Sequence, residues 1–137
     1  MFAVIGQKIA AQLQATSSFV TANGGNNRVF PVRIPQTQKY PCTTYEINNV
    51  DNFIAKSSSL DSCNVDITIS TFAESYTTTY SQAKTCVEAL DLFSITYTED
   101  GQSYTAKFNF ETLSDEYHNN AEVFYKNINF NCLIIKN

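Results

Sequence analysis

From residue 63 the chain alternates with a period of two. Cys63, Val65, Ile67 and Ile69 are apolar, while Asn64, Asp66, Thr68 and Ser70 between them are polar. One buried face and one wet face describe a strand on a half-covered sheet. The pattern returns near the end of the chain. Tyr104, Ala106, Phe108 and Phe110 alternate with Thr105, Lys107 and Asn109. Phe124, Ile128, Phe130, Cys132 and Ile134 share a face opposed by Asn127, Asn129 and Asn131. The polar stretch LSDEYHNNAE, residues 113–122, reads as a long turn between these last two strands. Glu99-Asp100-Gly101 reads as a tight turn ahead of them.

Two segments follow a helical period instead. Phe2, Ile5, Ile9 and Leu13 recur at steps of three and four, which predicts a helix from about residue 2 to the low twenties. Asn23-Gly24-Gly25-Asn26-Asn27 stops it, because Gly and Asn reach left-handed conformations at little cost. In FAESYTTTYSQAKTCVEALDLF, residues 72–93, Tyr76, Tyr80, Ala83, Val87 and Leu90 define a second helical stripe. Glu74 falls in its expected first turn, where the helix dipole favours a carboxylate.

Between the first helix and the sheet lies RVFPVRIPQTQKYPCTTYEI, which holds all three prolines: Pro31, Pro35 and Pro41. Proline cannot donate to a ladder, and it pushes the preceding residue to extended geometry. The segment therefore reads as an extended arm along a sheet edge, becoming a paired strand only after Pro41. TTYEINNV then forms a strand, with Asp51-Asn52 and Ser57-Ser58-Ser59 as the connection to the next. The sum is an α+β fold, an antiparallel sheet with two helices packed on one face, in a single domain spanning residues 1–137.

Charge changes the picture by exclusion. Only 16% of the 137 residues are charged, the net charge is −4 and the pI is near 4.8. The nine cations are spread singly along the sequence, so no cluster exists to neutralise phosphates. The opening MFAVIGQKIAAQLQATSSFV is interrupted by Gln7, Lys8, Gln12 and Gln14. It lacks the continuous apolar core of a signal peptide or a membrane span, and the chain reads as soluble and intracellular. Cys42, Cys63, Cys86 and Cys132 match no metal spacing, and Cys63 and Cys132 lie in phase with apolar strand positions. They read as reduced, small apolar residues.

Candidate chemistry is sparse. Nucleophile elbow, zinc-helix, P-loop and dinucleotide motifs are all missing. Gly24-Gly25 follows a helix and cannot cradle phosphate at its start. His118 stands near Asp115 and Glu116, a grouping able to move protons, yet no nucleophile accompanies it and it reads as a solvated loop residue. Asp61, Asp66 and Glu74 are near one another in sequence, but Asp66 alternates with the buried face and reads as solvent-facing. No catalytic, cofactor-binding or metal-ligating residue is assigned, and no cofactor is expected. The eight tyrosines divide between sheet packing and interface roles.

Three stretches taken in order resemble a known family. They are RVFPVRIPQTQKYPCTTYEI, then CNVDITISTFAESYTTTYSQAKTCVEAL, then LSDEYHNNAEVFYKNINFNCLII. Arg28-Val29-Phe30-Pro31 with Pro35, Pro41 and Tyr45 is followed by Val65, Ile67 and Ile69, then by Ala73, Ser75 and Tyr76. This succession is similar to the tail-completion proteins of tailed bacteriophages, related in fold to tail terminators and head–tail joining proteins. The resemblance implies a non-enzymatic virion protein, assembled in the host cytoplasm, whose subunits form a homo-oligomeric ring, typically a hexamer. Such a ring caps the tail tube and meets the head connector, and DNA crosses its lumen without specific binding. Residues 113–121 and 54–60 are the expected contact regions. A competing reading is a small α+β domain that recognises a protein partner by its sheet edge.

Overall fold

The computed structural model of the chain describes residues 1–52 and 62–137. The expected connection at Ser57-Ser58-Ser59, the contact region at 54–60 and Asp61 lie outside the described residues.

Six strands form one sheet in the order β1-β2-β3-β6-β5-β4, curled into a half-barrel. They are β1 (Val29–Pro31), β2 (Cys42–Asn52), β3 (Ser62–Ala73), β4 (Ser94–Glu99), β5 (Gln102–His118) and β6 (Val123–Lys136). The helices are α1 (Ile5–Ala15), α2 (Ser17–Ala22) and α3 (Tyr76–Leu90). The α+β class stands. The antiparallel expectation is corrected to a mixed sheet, because β1 runs parallel to β2 while every other pair is antiparallel.

β3 and β6 pair in unbroken register from Ser62↔Ile135 to Ala73↔Phe124. Their alternate residues behave as the period of two requires. Val65, Ile67, Ile69, Ile128, Phe130, Cys132 and Ile134 are buried in one cluster. Ile5, Ile9 and Leu13 of α1, Phe19 of α2, and Ala83, Cys86 and Leu90 of α3 complete that cluster. Each large apolar side chain so buried contributes about 1.5–3 kcal/mol.

Several boundaries move. The first helix breaks at Thr16, whose backbone is extended and whose hydroxyl donates to Gln12 O at 2.8 Å. Phe2 lies outside α1 and is exposed. The second helix begins at Tyr76, since Phe72 and Ala73 still pair with Tyr125 and Phe124 in the sheet. Glu74 therefore precedes the helix. Ser94–Glu99 is a strand that its short, weakly apolar sequence did not announce; it pairs with Gln102–Lys107 across the turn at Asp100-Gly101.

The largest correction concerns residues 113–122. Leu113–His118 continue β5, paired from Leu113↔Ile128 to His118↔Val123, and only residues 119–122 turn. The stretch is polar because almost all of it is exposed, not because it is a loop.

The Pro-rich arm sits where the sequence placed it. β1 is an edge strand that ends at Pro31, and β2 begins directly after Pro41. The arm is anchored by Arg28, whose guanidinium donates to Lys39 O at 3.2 Å and Pro41 O at 3.1 Å. Behind it lies a buried amide hub. Asn23 donates to Arg28 O at 3.0 Å and accepts from Thr43 at 2.7 Å and from Gln82 at 2.8 Å. Gln82 also donates to Cys42 O at 3.2 Å.

Gly24 follows this hub at φ 85°, and a Cβ there would stand 2.9 Å from Pro41 Cγ. Gly101 has a similar φ of 76° but open space around it. Gly24→Ala is expected to cost about 2 kcal/mol or more in urea unfolding, and Gly101→Ala about 1 kcal/mol. Equal losses would show that contact with Pro41 contributes nothing.

Candidate functional site

The fold divides the periodic stripe of α3: Ala83 and Leu90 face inward, and the tyrosines of the same stripe do not. Thr79, Gln82, Ala83, Cys86, Ala89 and Leu90 are buried, whereas Tyr76 and Tyr80 are 48% and 56% exposed. The tyrosines form the flank of a groove of about 520 Å³ between α3 and the far half of β5. Val87, Lys84 and Leu113 line it further, and Asp115 and Lys126 close one end.

That end is held by charge. Lys126 sits on the core-facing side of β6, 3% exposed, with its ammonium 4.4 Å above the Tyr76 ring. It forms an ion pair with Asp115, and Tyr76 Oη donates to the same carboxylate at 2.8 Å. Burial alone would lower the Lys126 pKa, but its bonds with Asp115 and Tyr76 outweigh this and raise it. The hydrogen bond from Lys126, with that from Tyr76, holds Asp115 below its ordinary value of 3.8. Sequence periodicity missed this contact because a lysine at an apolar position looks like an interruption until its partner strand is known.

The opposite face of the sheet carries a ladder of neutral side chains. Asn48 donates to Thr68 at 2.5 Å, Thr68 to Asn129 at 2.8 Å, and Asn129 to Thr112 at 2.8 Å. Ser70 donates to Asn127 at 2.7 Å, and Asn131 to Asp66 at 3.4 Å. Asp66 thus takes part in the ladder on the face expected for it. With Glu111 it borders a shallow depression of about 360 Å³.

The candidate acid–base group comes apart. His118 Nδ1 accepts the Ala121 amide at 3.2 Å and so shapes the turn, while Asp115 is engaged by Lys126 and Glu116 by Tyr125. Among the described residues, no three His, Cys, Asp or Glu side chains gather where they could hold a metal. All four cysteines are free and buried. Burial pushes the Cys42 thiol up to about 11 and Cys132 up to about 12, which leaves them poor nucleophiles at neutral pH. Among the described residues no helix is long and apolar enough to cross a membrane.

Because the Asp115 pKa is lowered by folding, the stability it lends is present above 3.8 and is lost as pH falls through the lower folded value. Hydrogen exchange at residues 112–118, measured against a core reference in β3, should accelerate below about pH 4. Asp115→Asn should remove that pH dependence; an unchanged profile would mean that the ion pair does not hold this arm.

No family model matches the chain, and no curated protein matches it. Among solved structures, a chain of the "Virion of native gene transfer agent (GTA) particle" shares the fold at a TM-score of 0.71 with 16% identity. The alignment covers 100% of both chains, so the likeness in fold runs from end to end.

Proposed function

We propose that this protein is a non-enzymatic structural subunit of a phage-like virion, folded as one domain over residues 1–137. It forms a homo-oligomeric ring, a hexamer or a larger ring, at the neck or tail end, where it completes the tail and meets the head connector. Assembly takes place in the host cytoplasm before the subunit joins the virion. The observation that carries this reading is the end-to-end likeness in fold to a chain of a gene transfer agent virion. The motif succession from Arg28 to Tyr76 supports the finer assignment to tail completion.

One feature of the surface supports a passive channel. The sheet face away from the core presents amides and hydroxyls already engaged with one another, interspersed with Asp66, Glu111 and Glu116. Among the described residues Lys107 is a lone exposed cation on this face beside those acids, too few to hold phosphates, so DNA crosses the lumen without being gripped.

A second reading, a monomeric binder that uses its sheet edge, is favoured by the stretch of β5 that, among the described residues, pairs only with β6. Light scattering and negative-stain imaging, with and without tail tube protein, separate the two. Closed rings are the expected result. A monomer under both conditions overturns the ring reading, and one-to-one capture of a partner establishes the second.

A further inference from the structure

Charge is divided unequally along the chain. Residues 1–45 hold Lys8, Arg28, Arg33 and Lys39 and not one acid, while all thirteen acids and the other five cations lie from Glu46 onward. The first part is thus +4 and the remainder −8. The fold spreads this division across the sheet: the basic Pro-rich arm lies at the β1 edge, and β5 lies in the other half of the strand order.

The arm holds an unusual residue just after β1. Val32 has φ 65° and is 67% exposed. A β-branched residue in left-handed backbone is strained, and an apolar side chain held out in water gains nothing from burial. The Val32 amide is fixed by donating to Tyr45 O of β2 at 2.8 Å, so the arm is tied where it leaves β1. Arg33 follows, exposed, and its guanidinium makes no hydrogen bond or ion pair among the described residues, unlike that of Arg28.

The matching surface is on β5. β4 covers it only as far as Lys107, and among the described residues Thr112–His118 pair with β6 alone. Phe108 directs its amide away from β6, to Phe93 O, and the irregularity between Phe110 and Thr112 shifts the phase by one. Ladder alternation then points the free backbone groups of Leu113, Asp115 and Tyr117 outward. Leu113 and Tyr117 are exposed beside these open groups, the α3 groove lies alongside, and Glu111 and Glu116 stand nearby on the strand.

We propose that the Pro-rich arm of one copy docks on the open edge of β5 in the next copy. Val32 enters the groove beside Leu113 and Tyr80, and Arg33, pointing to the other face of the strand, meets the carboxylate of Glu111. Pro31 and Pro35 keep the arm from extending into a long added strand, which limits the contact to a short span. The two surfaces lie in different halves of the sheet, so the contact is head-to-tail and repeats from copy to copy until a ring closes. This inference rests on the ring reading above and identifies its interface.

Cysteine cross-linking tests it, with little background because the native cysteines are buried. Val32→Cys with Leu113→Cys in one chain should give, on mild oxidation, a series of disulfide-linked species ending at the ring size. The two single variants, mixed, should give only linked dimers. Val32→Cys with Thr98→Cys, on exposed β4, should give none. Separately, Arg33→Glu should weaken assembly about fivefold per contact, with recovery when Glu111 is changed to Lys. Rings that form normally but do not cross-link, with no loss from Arg33→Glu, overturn this interface and leave the ring reading standing. A failure of the unmodified protein to form rings, alone or with tube protein, overturns both.

Discussion

The pairing of β3 with β6 is the constraint on which the rest of the molecule depends. Their register is unbroken over twelve pairs, and each pair places two side chains on the same face. Because strand residues alternate strictly, one register decides every position together: Val65 with Cys132, Ile67 with Phe130 and Ile69 with Ile128 all fall in the buried cluster. A slip of one residue would turn that apolar row to water and bring Asn127, Asn129 and Asn131 into the core. The same register builds the neutral ladder on the other face, so the core and the polar surface are two products of one alignment.

The helices are held to this pair by packing and by the amide hub at Asn23 and Gln82. Both residues are buried, and together they tie the end of α2, the middle of α3, the start of β2 and the arm at Arg28. A buried amide is costly unless it is bonded. Here the bonds reach four separate segments, so the cost of leaving them unmade acts against any other placement of the arm. Gln82 Oε1 and Thr71 Oγ1 remain buried without a partner among the described residues. The hub also explains why α3 turns Gln82 inward and leaves Tyr76 and Tyr80 on the groove.

Much of the fold was legible wherever one side of an element is apolar and the other is not. Val65 to Ile69, Phe124 to Ile134 and the α1 stripe of Ile5, Ile9 and Leu13 were read correctly because burial imposes a period on them. The errors share one cause. Residues 113–118 of β5 project beyond the core and are exposed, so no period marks them as strand. In α3 the periodic stripe is itself divided, with Ala83 and Leu90 buried and Tyr76 and Tyr80 exposed. β4 is short and half-exposed. The groove was missed for the same reason: its walls come from α3, β5 and β6, and its closing ion pair joins residues that no local pattern connects.

By itself the sequence determined the α+β class, the buried rows of the central strands and the edge position of the Pro-rich arm. Each of these follows from local rules: side-chain period in the strands, and the missing donor of proline in the arm. Tertiary structure alone decided that β1 runs parallel to β2, which face of α3 is buried, and that a polar stretch is a strand rather than a loop. Those choices depend on which partner each segment meets. An exposed strand such as the end of β5 owes its shape to hydrogen bonds with β6, and backbone hydrogen bonds leave no trace in the order of side chains.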